Sequence, residues 1–223
     1  MASSILVINP NSTEAVTAGI DAALDPLRLE DGPRIRCVTL HDGPPGIETQ
    51  AHVDQAALLV ARAVAETLAD AYVVACFSDP GLHAAREATT KPVLGIAESG
   101  LLTALSLGAR VGVVAVLSRS IPRHTRYFRA LGVADRIAGE EAVDLPVVAL
   151  ADESRTAERM LTVGRTLTER HGADVLVMGC AGMAKYRERL EAALGVPVVD
   201  PSQAAVGLAI AMVRLRLAPR AQR

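Results

Sequence analysis

Three cysteines, Cys37, Cys76 and Cys180, are the side chains of this sequence best suited to proton transfer or nucleophilic chemistry. They have no C-x-x-C spacing, and their odd number argues against both a disulfide framework and a structural zinc site. Each is therefore read as a thiol. Cys37 falls inside an expected strand and reads as a small packing residue. Cys76 is followed by Phe-Ser-Asp-Pro-Gly and Cys180 by Ala-Gly-Met-Ala, both turns that lead into helices. A helix start stabilises a thiolate, and its free amides can hold an oxyanion. Two such thiols suit a reaction in which one removes a proton from carbon and the other supplies one to the opposite face.

Other polar residues near these turns have assignable roles. In Asn9-Pro10-Asn11-Ser12-Thr13, Asn11 reads as a helix N-cap with Glu14 as its N3 partner, which leaves Asn9 to bind a substrate carbonyl. Asp79 before Pro80 reads as a structural N-cap, and Ser78 as a substrate contact. His83 reads as an exposed helix residue rather than a base for Cys76. His41, His52, His124 and His171 show no ligand spacing, so no metal is expected. No G-x-G-x-x-G follows a strand, so a dinucleotide is not expected.

These residues are held by short Val/Ile/Leu runs that alternate with longer segments of helical period, the pattern of βαβ units around parallel sheets. Strands are expected at 5–9, 35–40, 72–75, 92–96, 111–117, 174–178 and 197–200, and helices at 12–24, 54–68, 154–169, 183–194 and 201–217, with Gly195 as a stop signal. The chain also repeats itself. Residues 69–76 and 173–180 match at four of eight positions at an offset of 104, both cysteines included, and Pro92-Val93 answers to Pro197-Val198 at an offset of 105. This predicts two similar doubly wound α/β lobes related by a pseudo-twofold axis, residues 1–97 and 98–203, with a terminal helix at 204–223 packing back on the first. Cys76 and Cys180 would then face each other across the cleft between the lobes, at the carboxyl edges of the sheets where ligands bind.

Composition narrows the classes of function. Of 223 residues, 50% are apolar and 22% charged, which suits a packed core rather than disorder. Three Tyr, two Phe and no Trp leave little for base stacking, and a formal charge of −2 lacks the basic excess that nucleic acid binding favours. No apolar run approaches the ~20 residues of a membrane span, so no membrane partner is expected. The opening MASSILVINPNST carries no Lys or Arg before its short apolar run, unlike a secretory leader, and the cytoplasm is the expected compartment.

The same residues resemble a family. Ile-Asn-Pro-Asn-Ser-Thr at 8–13, Ala-Cys-Phe-Ser-Asp-Pro-Gly-Leu at 75–82, Pro-Val-Leu-Gly-Ile-Ala-Glu at 92–98 and Gly-Cys-Ala-Gly-Met at 179–183 resemble, in order, the hydantoin racemase branch of the aspartate/glutamate racemase superfamily. The resemblance implies cofactor-independent racemisation of a 5-substituted hydantoin, with Cys76 and Cys180 as the two bases. It further implies that Asn9, Ile47, Phe77, Ser78, Leu117, Ser118, Gly179, Ala181 and Gly182 line the substrate site. A small hydantoin-like molecule is the expected partner, and a homo-oligomer is compatible with the sequence.

Amino-acid racemases of that superfamily usually carry Asn-Thr or Thr-His after their cysteines, where this chain has Phe77-Ser78 and Ala181-Gly182. A neutral cyclic imide with a nonpolar C5 substituent is therefore expected in a site short of charged groups. Allantoin, itself a substituted hydantoin, is the alternative within the family. The decarboxylase branch fits less well, because it needs a cysteine only at the second position. Outside enzymes, a two-lobed sensor that closes over a small molecule is the competing reading, but a sensor has no need of two equivalent thiols.

Overall fold

The computed structural model describes residues 3–145 and 153–219. Its first sheet contains β1 (Ser4–Asn9), β2 (Arg34–Thr39), β3 (Ala71–Val74) and β4 (Val93–Gly95), in the spatial order β2-β1-β3-β4. The second contains β5 (Val111–Ala115), β6 (Ile137–Ala142), β7 (Val175–Met178) and β8 (Val198–Val199), in the equivalent order β6-β5-β7-β8. All neighbours are parallel. The two lobes therefore repeat one topology, as the internal match predicts.

Helices α1 (Glu14–Ala23), α2 (Gln50–Glu66) and α3 (Leu82–Glu87) belong with the first sheet, and α5 (Ile121–Ala130), α6 (Glu153–Arg165) and α7 (Arg187–Leu194) with the second. Two further helices link the halves. Helix α4 (Ile96–Leu105) follows the last strand of the first sheet, yet packs Ala97, Leu101 and Ala104 against Val111, Val113, Val175 and Val177 of the second. Helix α8 (Pro201–Leu215) does the converse, setting Ala205, Val206, Ala209 and Ile210 against Ile5, Val7 and Val73. The central strands β1, β3, β5 and β7 are covered on both faces and read as continuous Val/Ile/Leu runs.

Several elements differ from the sequence expectation. Strand β6 and helices α4 and α5 were not expected. β6 is an edge strand with the sequence Ile-Ala-Gly-Glu-Glu-Ala, half-buried along most of its length, and lacks the apolar signature of the central strands. Helix α1 is capped at Thr13 rather than Asn11, whose Oδ1 instead accepts from the Thr13 amide at 2.9 Å. Helix α2 starts at Gln50, four residues before expectation, because Thr49 accepts the His52 amide at its N-terminus. Residues 181–186 form a 3-10 turn before α7, and α7 ends at Gly195 in the left-handed conformation, φ 68°, as that glycine implies.

Candidate active site

In each sheet the strand order reverses between the first and third strands of the lobe, β1 and β3 in one and β5 and β7 in the other. Connections leave these pairs in opposite directions and open a crevice at their carboxyl ends. Four chain segments meet there: Asn9 to Asn11 after β1, Ala75 to Ser78 after β3, Val116 and Leu117 after β5, and Gly179 to Ala181 after β7. The two crevices face each other and share one cavity, with both Cys76 and Cys180 in its wall. Its volume of about 40 Å³ holds about one water, too little for a five-membered ring with two carbonyls. A ring of that size therefore needs the cavity walls to move apart.

The thiols are placed alike. The amide of Ala75, just before Cys76, donates to the Ile8 carbonyl at 2.8 Å, and that of Gly179, just before Cys180, donates to Val114 at 2.8 Å. The Cys180 sulfur accepts from the Gly182 amide two residues ahead at 3.4 Å, and the Ser78 amide, two residues beyond Cys76, acts on that thiol in the same sense. Gly179 is required by close approach: a Cβ there would lie 2.7 Å from the Val114 carbonyl oxygen.

Burial dominates the acidity of both groups. It pushes Cys76 up to about 12 against the help of the Ser78 amide, with Cys180 and Asp79 adding to the rise and Arg123 opposing it. It pushes Cys180 up to about 11, with the Gly182 amide opposing and Asp200 reinforcing. The expected lowering by helix starts is therefore outweighed by desolvation. The Gly182 amide serves the Cys180 sulfur rather than standing free for an oxyanion. Cys37 lies half-buried on β2 against the first core; burial and Asp21 raise it to about 12, in keeping with a packing role.

Asp79 holds the Cys76 turn. Its backbone is left-handed, φ 42°, a conformation Asp tolerates. It does not cap the helix that follows it. Its carboxylate accepts the Ala97 and Glu98 amides at 3.0 and 2.9 Å, capping α4, and the Tyr127 hydroxyl at 2.7 Å. Burial raises it to about 6. The equivalent helix α8 is capped by Asp200, which accepts the Gln203 amide at 2.7 Å.

Ile47, Phe77, Ser78, Leu117, Gly179 and Ala181 line the cavity together with the thiols. Asn9, Ser118 and Gly182 do not. The Asn9 amide is spent internally, donating to Asn11 Oδ1 at 3.1 Å and Thr17 Oγ1 at 2.9 Å, so Asn11 reaches the cavity in its place. Ser118 binds the Asp144 carboxylate at 2.7 Å. His83 is exposed on α3, as expected.

The cavity wall also carries charged groups that the sequence reading did not assign: Glu48, Arg123 and His124. Buried His124 meets Glu140 through Nδ1 at 2.5 Å and packs edge-on against Phe77, ring centroids 5.5 Å apart. Glu48 pairs across the lobes with Arg119. Arg126 reaches Gln50 at 3.2 Å and Arg123 reaches Ser78 at 3.3 Å. Arg119, Arg123 and Arg126 stand at i, i+4 and i+7, one helical face, and that spacing was the available signal. Among the described residues no cluster of three or more His, Cys, Asp or Glu could hold a metal, and no helix is long and apolar enough to cross a membrane.

A family model described as Asp/Glu/Hydantoin racemase matches residues 5–209. The chain belongs to the Asp/Glu/hydantoin racemase family. Relatives within it are close to full length: a hydantoin racemase of Rhizobium meliloti is 37% identical, covering 94% of this chain and 88% of that protein. One from Paenarthrobacter aurescens is 35% identical, covering 95% and 91%. The solved allantoin racemase from Klebsiella pneumoniae superposes with a TM-score of 0.93 at 34% identity, covering 98% of this chain and 91% of that one. Such kinship makes this family member an isomerase, a racemase, and sets the sensor reading aside. Its two-lobed α/β fold is that of these structural relatives.

Proposed function

We propose that the protein racemises 5-monosubstituted hydantoins without a cofactor, using Cys76 and Cys180 as the two bases. The supporting observation is the shared cavity, where equivalent turns present both thiols. A thiolate on one side takes the C5 proton, and the electron pair moves onto the adjacent ring carbonyl as an enolate. The opposing thiol then protonates C5 from the other face. The product is the mirror image, with the thiol and thiolate roles exchanged; a proton returned through solvent resets the pair. Closure of the lobes excludes water from the enolate.

The Phe77 ring and Ile47 give the cavity an apolar part that suits a flat ring. The likeness to an allantoin racemase supports a second reading of the same chemistry, because allantoin is a hydantoin with a ureido group at C5. Loss of optical rotation for pure hydantoins, allantoin, aspartate and glutamate tests the proposal. Racemisation of a hydantoin is the expected result, and turnover of the free amino acids alone would overturn it.

A further inference from the structure

Arg123 is a cation held in reserve. Its guanidinium lines the cavity that contains the two thiols, and burial depresses its pKa from the ordinary value. A partly buried guanidinium is normally matched by a carboxylate, because its desolvation is otherwise uncompensated. No carboxylate among the described residues forms an ion pair with Arg123. Its hydrogen bonds go to two neutral hydroxyls, Nε to Ser78 Oγ at 3.3 Å and Nη2 to Ser120 Oγ at 3.2 Å, both long.

The acidic group of this wall, Glu48, is paired with Arg119. Behind the wall, Glu140 meets His124 Nδ1 through Oε1 and acts on Arg123 only through its charge, with no hydrogen bond or ion pair between them. The neighbouring cation Arg126 lies at the exposed rim, bonded to Gln50. Ser78 lies two residues beyond Cys76, so the guanidinium stands beside the reacting pair rather than between its members.

We propose that Arg123, with Ser78 and Ser120, is an anchor for a carboxylate on the C5 substituent, so that this chain prefers hydantoins with an anionic side chain over those with apolar ones. The proposal rests on the hydantoin racemase reading above. It reverses the expectation of a nonpolar substituent, which assumed a site short of charge. The guanidinium plane can take both oxygens of a carboxylate, which a neutral carbamoyl group cannot match.

The test compares 5-carboxymethyl-, 5-carbamoylmethyl- and 5-isobutylhydantoin in the wild type, Arg123→Met and Arg123→Lys. In the wild type the carboxymethyl compound should have a kcat/KM at least about tenfold above the isobutyl compound. Arg123→Met should erase that preference, with kcat/KM for the carboxymethyl compound falling at least about tenfold further than for the isobutyl compound, and Arg123→Lys should restore part of it. Faster turnover of either neutral compound by the wild type would overturn the anchor. So would an equal loss on all three in Arg123→Met, which would place Arg123 at the reacting centre.

Racemisation of the isobutyl compound reports separately on the racemase reading. Should no hydantoin be racemised, that reading fails, and the anchor is decided by binding. The carboxymethyl compound should shield Cys76 from iodoacetamide in the wild type and not in Arg123→Met; equal shielding, or none, would overturn it.

Discussion

Cys76 and Cys180 occupy equivalent places in the two lobes, each after the strand that pairs with the lobe's first, and each with the amide two residues ahead, of Ser78 or Gly182, acting to lower its pKa. The equivalence is one of backbone, and the surroundings break it. Arg123 acts on Cys76 and Asp200 on Cys180. A two-sided reaction on a substrate with unlike substituents needs both features: matched bases and unmatched walls.

The burial of the thiols sets the pH dependence. With burial pushing Cys76 up to about 12 and Cys180 up to about 11, little thiolate exists at neutral pH. One thiolate is required for turnover, so kcat/KM should rise between pH 6 and 9 by about tenfold per unit. Initial rates of racemisation across that range check this, and a rate flat from pH 6 upward would show that the thiolate forms more readily than burial allows.

Gly179 links the fold to the chemistry. In Gly179→Ala the new methyl meets the Val114 carbonyl, and relief must displace the strand end that carries Cys180. A shift near 1 Å at a catalytic group costs about 100-fold. The variant should keep its far-ultraviolet circular dichroism and lose about that much in kcat/KM; activity within threefold of wild type would mean that the turn tolerates the methyl.

Asp200 couples pH to stability. Its folded pKa, about 6, lies above the ordinary 3.8, so the native state holds this proton more tightly than the unfolded chain. The carboxyl's contribution is therefore most favourable below pH 4 and is lost as pH rises to 6, a cost of about 3 kcal/mol beyond it. Its Oδ2 is buried without a partner, while Oδ1 caps α8. Asp200→Asn keeps a cap oxygen and removes the charge. Urea unfolding should show it about 1 to 3 kcal/mol more stable than wild type at pH 7.5 and no more stable at pH 4, the difference disappearing between 6 and 4.

The central architecture was legible because it is written in buried strands. β3 and β7 carry the apolar runs, flanked by the shared Ala-Asp and Cys that expose the duplication. What escaped was set by tertiary contact. β6 is held by pairing at a sheet edge while its glutamates point to His124 and His171, so its sequence looks polar. Asn9 and Asn11 both suit a turn, and only the packing of Thr17 against Asn9 decides which one faces the cavity. Asp79 beside Pro80 imitates a local cap, yet its partners are Ala97, Glu98 and Tyr127, 18 or more residues away.

The central claim is that Cys76 and Cys180 act as opposed bases on one carbon. In Cys76→Ser and Cys180→Ser the hydroxyl is too weakly acidic to replace the thiol, so racemisation should fall by about 1000-fold or more in each. The surviving thiolate should still remove and return a proton on its own face. The decisive measurement is loss of the C5 proton signal in deuterated water, read alongside chiral chromatography. Each variant should exchange the C5 hydrogen of one enantiomer without inverting it, and the two variants should act on opposite enantiomers. Full racemase activity in either variant, or exchange of the same enantiomer by both, would contradict the account.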